Sequence, residues 1–274
     1  MAVESWSRVG AALRPALGLL VCLGLLFVAG CGGAAGPTCG AGAGAGGCTR
    51  VLFLGNSYTY VNDLPSTFDQ LAQSGGRPVA VAMVANGGET LADHSASSDS
   101  LGKIAAGGWT YVVLQEQSET PATPAGRDYY TYPAARTLAS AVESAGATPI
   151  LFMTWAHRDG LASLGLPTYE SMQQQIDAGY LDVAQELGVP VAPVGFTWYI
   201  VRHDHPDIGL WADDGSHPST AGTYLAACVF YASIFGQSPE GLAFHDGVPD
   251  AQAAALQTEA GQQVLGLKEQ WGLR

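Results

Sequence analysis

The sequence predicts an α/β protein, a three-layer α/β/α sandwich with a central parallel sheet. Short, continuously apolar runs recur along the chain, as suits strands buried on both faces of such a sheet. Stretches with helical periodicity separate them, and strands alternating with helices indicate parallel pairing with both faces covered. The first of these strands also ends directly before a serine, and the carboxyl ends of strands are where open α/β sheets place their ligands.

The chain has 274 residues and opens on an export signal. Arg8 and Arg14 precede an apolar segment from about Ala16 to Val28, too short and too abruptly ended to span a membrane. The segment closes on Val28-Ala-Gly-Cys31, so residues 1–30 read as the signal peptide. That ending resembles the lipobox of bacterial lipoproteins. The resemblance implies lipidation of Cys31 and a membrane-anchored protein of the cell envelope. An ordinary signal peptide with a chance cysteine is the alternative. Residues 31–48 are mostly Gly and Ala and read as a flexible tether. Export permits a Cys39–Cys48 disulfide. Cys22 leaves with the signal, and Cys228 falls in an apolar helix as a core residue.

Residues 49–274 fit one domain of ordinary size. Val51–Leu54, Val79–Val84, Tyr111–Leu114, Pro149–Thr154 and Val189–Val194 read as strands. Pro65–Gln73, Tyr130–Ala145, Tyr169–Leu187, Ser219–Phe235 and Ala251–Gln270 read as helices. In the fourth helix Tyr224, Leu225, Cys228, Val229 and Ala232 mark one apolar face, and Gly236 suits its C-cap. The formal net charge of −13 argues against nucleic acid and against an electrostatic hold on anionic lipid. Membrane contact is therefore expected through the lipid anchor only.

The chemistry-bearing stretch is Val51–Thr59, reading VLFLGNSYT. Gly55-Asn56 breaks the apolar run and Ser57 follows at once. A serine there can cap a helix, or it can be a nucleophile. Near the other end the chain reads Trp211-Ala-Asp-Asp-Gly-Ser-His-Pro-Ser219. Asp214 and His217 lie three apart on a loop, so the carboxylate can orient the imidazole locally. The loop then has only to bring His217 to Ser57. The order Ser, Asp, His is that of the α/β-hydrolases, but no Gly-x-Ser-x-Gly surrounds Ser57.

GNSYT after a first strand, with DGSHP near the C-terminus, resembles the SGNH (GDSL-type) hydrolase family, and more closely a bacterial branch whose serine block reads GNS-x-T. The resemblance implies a flavodoxin-like SGNH hydrolase fold with Ser57 as nucleophile and Asp214 and His217 as its partners. It further implies an oxyanion hole from the Ser57 N–H and the N–H of Gly88 in Asn86-Gly-Gly-Glu-Thr90, with Gly87 as the neighbouring alternative. The family usually adds an asparagine side chain after the third strand. Here the chain reads Gln115-Glu-Gln-Ser118 instead, so Gln117 or Gln115 would supply that donor.

Other constellations read as supporting structure. His203-Asp-His205 lacks the further ligands of a metal site and reads as a solvated loop. Trp155 and His157 follow the fourth strand and reach the same sheet edge as Ser57; Trp155 is either pocket wall or core, and Trp211 is the better wall candidate. His94 reads as a surface helix residue, and Glu116 as a structural hydrogen-bond or ion-pair partner. Ser95–Asp99 and Glu119–Thr123 read as polar loops at the active-site edge. No cofactor or metal is called for. The expected function is a serine esterase acting through an acyl-enzyme, on short-chain (acetyl) esters of carbohydrate. The alternatives are a lipase or lysophospholipase-type acyl hydrolase, and a non-catalytic glycan-binding lipoprotein.

Overall fold

The computed structural model describes residues 47–273. The expected export signal, Cys31 and Cys39 lie outside the described residues; Cys48 is disulfide-bonded.

The expected sandwich is present. Among the described residues five strands form one sheet in the order β2-β1-β3-β4-β5: β1 Thr49–Gly55, β2 Val79–Ala85, β3 Tyr111–Leu114, β4 Thr148–Phe152 and β5 Val191–Ala192. Every pairing is parallel, and β1 sits between β2 and β3. The chain runs from β1 out to β2 and then returns to β1's other side. The switch point between β1 and β3 opens a crevice at their carboxyl ends.

The helices are α1 Ser57–Tyr60, α2 Leu64–Ser74, α3 Leu91–Ala96, α4 Ser98–Ala105, α5 Pro124–Gly126, α6 Tyr132–Ser144, α7 Tyr169–Leu187, α8 Val194–Asp204, α9 Thr220–Phe235 and α10 Asp250–Leu265. A π-helical stretch, Arg127–Thr131, joins α5 to α6. Helices α2, α8, α9 and α10 pack in one group and α3, α4, α6 and α7 in another. Val51 to Leu54 are fully buried between the layers, as their unbroken apolar run requires.

Four departures have physical causes, two local and two tertiary. The last strand shrinks to Val191–Ala192, because Pro190 and Pro193 flank it and cannot donate to a ladder. Val194 starts α8 instead, although Thr197-Trp-Tyr-Ile-Val201 is rich in strand-favouring residues. Burial of Trp198 and Val201 in the core overrides that local preference. Residues 91–105, taken partly as loop, form α3 and α4. The signal was a capping box: Thr90 Oγ1 accepts from Asp93 N while Asp93 accepts from Thr90 N. Helix α9 is buried on nearly all sides and not along one face, because α2, α8 and α10 surround it.

On α7, Gln173 pins the segment leaving β4. Its Oε1 accepts from Ala156 N at 2.7 Å, and its Nε2 donates to Thr154 O at 3.2 Å and to Asp177 Oδ1 at 2.7 Å. Burial pushes the Asp177 carboxyl up to about 6, against the hydrogen bond from Gln173. The folded state therefore holds this proton more tightly than the unfolded state. Its contribution to stability is full below the free carboxylate's range and is lost as pH rises through about 6. Asp177→Asn should raise the thermal midpoint at pH 8, by up to about 3 kcal/mol of stability. It should also flatten the midpoint's dependence between pH 4 and 6, as read by melts across that range.

Candidate active site

The turn after β1 is held by side chains that are themselves buried. Asn56 N donates to Gln115 Oε1 at 2.8 Å, and Asn56 Oδ1 caps α1 by accepting from Tyr58 N at 3.0 Å. Gln115 Nε2 returns a bond to Asn56 Oδ1 at 2.9 Å, and Thr59 Oγ1 donates to Gln115 Oε1 at 2.9 Å. Asn56 Nδ2 reaches Glu89 O at 2.9 Å and ties the turn to the 86–90 loop. Gly55 has no room for a side chain, since a Cβ there would strike Thr59 Oγ1 and Gln115 Oε1. His94 Nε2 lies 2.9 Å from Gly55 O, with Ser100 Oγ 2.8 Å from its Nδ1. His94 is thus fully buried beneath the turn and is not a surface residue.

This bracket leaves Ser57 at the first position of α1, facing the loop 211–219. Ser57 Oγ lies 2.9 Å from His217 Nε2, and His217 Nδ1 lies 2.6 Å from Asp214 Oδ2. Asp214 Oδ1 accepts from the Ser216 and His217 N–H groups, both at 2.9 Å. The Ser216 N–H, followed by the His217 side chain, lowers the Asp214 carboxyl to about 2. Asp214 is therefore a carboxylate near neutral pH, and it fixes the proton on Nδ1. Nε2 is left to accept from the Ser57 hydroxyl. Asp213, its neighbour, is exposed. Gly215 takes a left-handed φ of +70° and closes the turn with Ala212, which points Asp214 back at His217.

Aromatic packing clamps that loop to the sheet edge. Tyr58 stacks on Trp155 with ring centroids 4.5 Å apart, and Trp155 stacks on Trp198 at 4.0 Å. Trp155 Nε1 donates to Ser216 O at 2.9 Å, and Tyr58 Oη lies 2.7 Å from Ser216 Oγ. Trp211 crosses Trp198 edge-on and donates to Ala156 O at 3.1 Å. Trp155 is thus core, and Trp211 is a buttress rather than a pocket wall. Asn62, at a left-handed φ of 57°, donates to Pro218 O and Thr223 Oγ1 and fastens the loop from the other side.

A cleft of about 400 Å³ opens above Ser57, lined by Asn56, Ser57, Tyr58, Tyr60, Gly87, Gly88, Gln117, Ser118, Glu119, His157, Ser216 and His217. Among the described residues, neither the Ser57 N–H nor the Gly88 N–H has a protein acceptor. Gln117 Oε1 accepts from Glu119 N and Thr120 N, which turns its NH₂ toward Ser118 Oγ at 3.4 Å. Gln115 is a different case. Both of its N–H bonds are taken, by Asn56 Oδ1 and by Glu116 O at 2.6 Å, and it is absent from the cleft wall. Gln115 is therefore a strut for the serine turn, and Gln117 alone of the pair faces the cleft. Glu116 is structural as expected: it accepts from Leu91 N and Gln117 N, and burial raises its carboxyl.

The remaining candidates sit apart. His203 and His205 close α8 rather than a loop, bonded to Asp204 and Glu259 respectively. Ser95–Asp99 belongs to α3 and α4 and does not reach the cleft. His157 does reach it, as does Glu119 from the loop expected at the active-site edge; Tyr60, which sequence reasoning passed over, joins them.

No protein-family model matches the chain, and no curated protein matches it. Among solved structures, a protein of Slackia heliotrinireducens described as an SGNH hydrolase shares 32% identity. That match covers 69% of this chain and 100% of the other, at a TM-score of 0.58. A DUF4886-family protein from Bacteroides uniformis matches at a TM-score of 0.64 and 18% identity, over 80% of this chain and 95% of that one. An acetyl-xylooligosaccharide esterase from Geobacillus matches at 0.54 and 17% identity, over 68% and 94%. The last two are likenesses of fold. This chain belongs to the SGNH hydrolase family. It is an ester-hydrolysing enzyme, and the alternative of a binding protein without turnover gives way.

Gly55→Ala should displace Gln115 and Thr59 and so loosen the Ser57 turn. Overpacking of this kind costs about 1–3 kcal/mol. The thermal midpoint should fall, and aryl acetate turnover should fall further than the midpoint shift explains at a temperature where the variant is folded.

Proposed function

We propose that the protein is a serine esterase that removes short acyl groups, above all acetyl, from carbohydrate through an acyl-enzyme. The observation that carries this reading is the cleft wall. It contains no aliphatic side chain, so beyond the Tyr58 and Tyr60 rings it offers little apolar surface for a long acyl chain. Its polar groups and the ring of Tyr60 instead suit a small acyl group on a hydroxylated leaving group. Tyr60, 38% exposed at the rim, offers the flat face on which a sugar ring can stack.

In this mechanism Ser57 Oγ attacks the ester carbonyl as His217 Nε2 takes its proton. His217 then gives the proton to the departing alkoxide and afterwards activates water for deacylation. Asp214 holds the imidazole in the required tautomer and stabilises the imidazolium. The N–H groups of Ser57 and Gly88 and the Gln117 amide hold the tetrahedral oxyanion, each contributing on the order of 3 kcal/mol. A longer glutamine stem replaces the asparagine usual in the family.

Ser57→Ala should abolish turnover and Asp214→Asn should cripple it, both with little change in melting. Gln117→Ala should lower kcat roughly a hundredfold with KM nearly constant. Normal kcat in the Gln117 variant would mean an oxyanion hole built without it. Substrate class is tested on esters of one leaving group from acetyl to octanoyl, where kcat/KM should fall steeply with length. A preference for octanoyl, or ready hydrolysis of lysophospholipid, would favour the lipase reading instead.

The same proposal places the enzyme at the cell envelope through lipidated Cys31, on the sequence signal. Labelled fatty acid should enter the wild type and not Cys31→Ser; wild-type protein recovered unmodified from the exported fraction would count against it.

A further inference from the structure

Glu119 is a carboxylate on the cleft wall with no protein partner among the described residues. No hydrogen bond reaches its oxygens, it joins no ion pair, and no Lys or Arg lines the cleft. An ionised carboxylate left unpaired beside a reaction centre costs affinity for anything negative. It also offers two oxygens with about four lone-pair sites. His157 stands on the same wall. Its Nε2 lies 3.2 Å from Ser118 Oγ, and its Nδ1 has no hydrogen-bond partner among the described residues. Desolvation lowers its pKa, which keeps the imidazole neutral near pH 7. The wall therefore presents an anionic acceptor, a neutral imidazole nitrogen and, in Ser118, a hydroxyl, all within the cleft that holds Ser57.

We infer that Glu119 and His157 form the subsite for the alcohol half of the ester, and that it selects neutral polyols with adjacent hydroxyls over anionic alcohols. The inference rests on the carbohydrate reading above and deepens it. Two neighbouring hydroxyls donate to the two oxygens of Glu119. His157 Nδ1 engages a third, with Ser118 Oγ holding the ring in place. A uronate or phosphate on the alcohol would meet the Glu119 charge with no Lys or Arg on the cleft wall to offset it. A plain aryl leaving group has no hydroxyl to offer and makes none of these bonds.

The test compares three acetyl esters on the intact enzyme: a mono-O-acetylated methyl glucoside, the methyl glucuronoside acetylated at the same position, and phenyl acetate. The wild type should prefer the glucoside to the glucuronoside by at least about tenfold in kcat/KM, the scale of hydrogen bonds to a charged group. Glu119→Ala should lose at least about tenfold more on the glucoside than on phenyl acetate, chiefly through KM. Glu119→Gln keeps the size and removes the charge, and it should narrow the preference over the glucuronoside. His157→Ala should also lose more on the glucoside than on phenyl acetate. Equal losses on glucoside and phenyl acetate in the Glu119 and His157 variants, or an unchanged neutral-to-anionic ratio in Glu119→Gln, would overturn the subsite while leaving the carbohydrate reading in place. A wild type that cleaves phenyl acetate but neither sugar ester would overturn that reading, and the subsite with it.

Discussion

The buried amide of Gln115 is the contact on which the site's geometry depends. It spans the carboxyl ends of β1 and β3, accepts from Asn56 N and Thr59 Oγ1, and donates to Asn56 Oδ1. A fully buried amide of this kind must satisfy both its donor and acceptor groups, since an orphaned one costs about 1–3 kcal/mol. It has found both partners on the serine turn. The turn is thus rigid because Gln115 is satisfied, and Gln115 is satisfied only in this conformation of the turn. Gly55 is part of the same constraint: the amide fits only where a Cβ is missing.

The second requirement is a fixed distance between two segments 160 residues apart, Ser57 and His217. The stack Tyr58–Trp155–Trp198 provides it. Trp155 packs against the residue after Ser57 and, through its indole N–H, holds the carbonyl of the residue before His217. Aromatic faces in van der Waals contact resist sliding and compression more than a mobile loop contact would. Arg158 N, bonded to Gly215 O at 2.7 Å, adds a third attachment of the same loop. The loop itself is short and partly exposed, so its precision comes from what it is packed against.

Electrostatically the cleft is one-sided. Glu119 lines it and no Lys or Arg does, while Asp214, held ionised by backbone N–H groups and His217, lies outside the lining. In the proposed mechanism, preorganised oxyanion donors and the Glu119 carboxylate on the wall are compatible because they act at different places. The former meets charge that develops during reaction, and the latter meets the resting substrate.

The amino-acid sequence by itself determined the layering and the parallel pairing, and it singled out Ser57, Asp214 and His217, which the structure brings within hydrogen-bond distance of one another. Those features are written in local patterns: unbroken apolar runs, helical spacing, and a short Asp-x-x-His loop. The tertiary structure alone decided between Gln115 and Gln117, because the two share residue type and neighbourhood and differ only in where each amide finds partners. It also settled Trp155 as core, turned Trp211 from supposed cleft wall into support, and moved His94 from surface to core. In each case burial depends on which distant segment packs against the side chain. The shortened β5 and the helix α8 belong partly to each class. Pro190 and Pro193 were visible punctuation, but the strand-favouring run Thr197–Val201 became helical only because the core has a place there for Trp198.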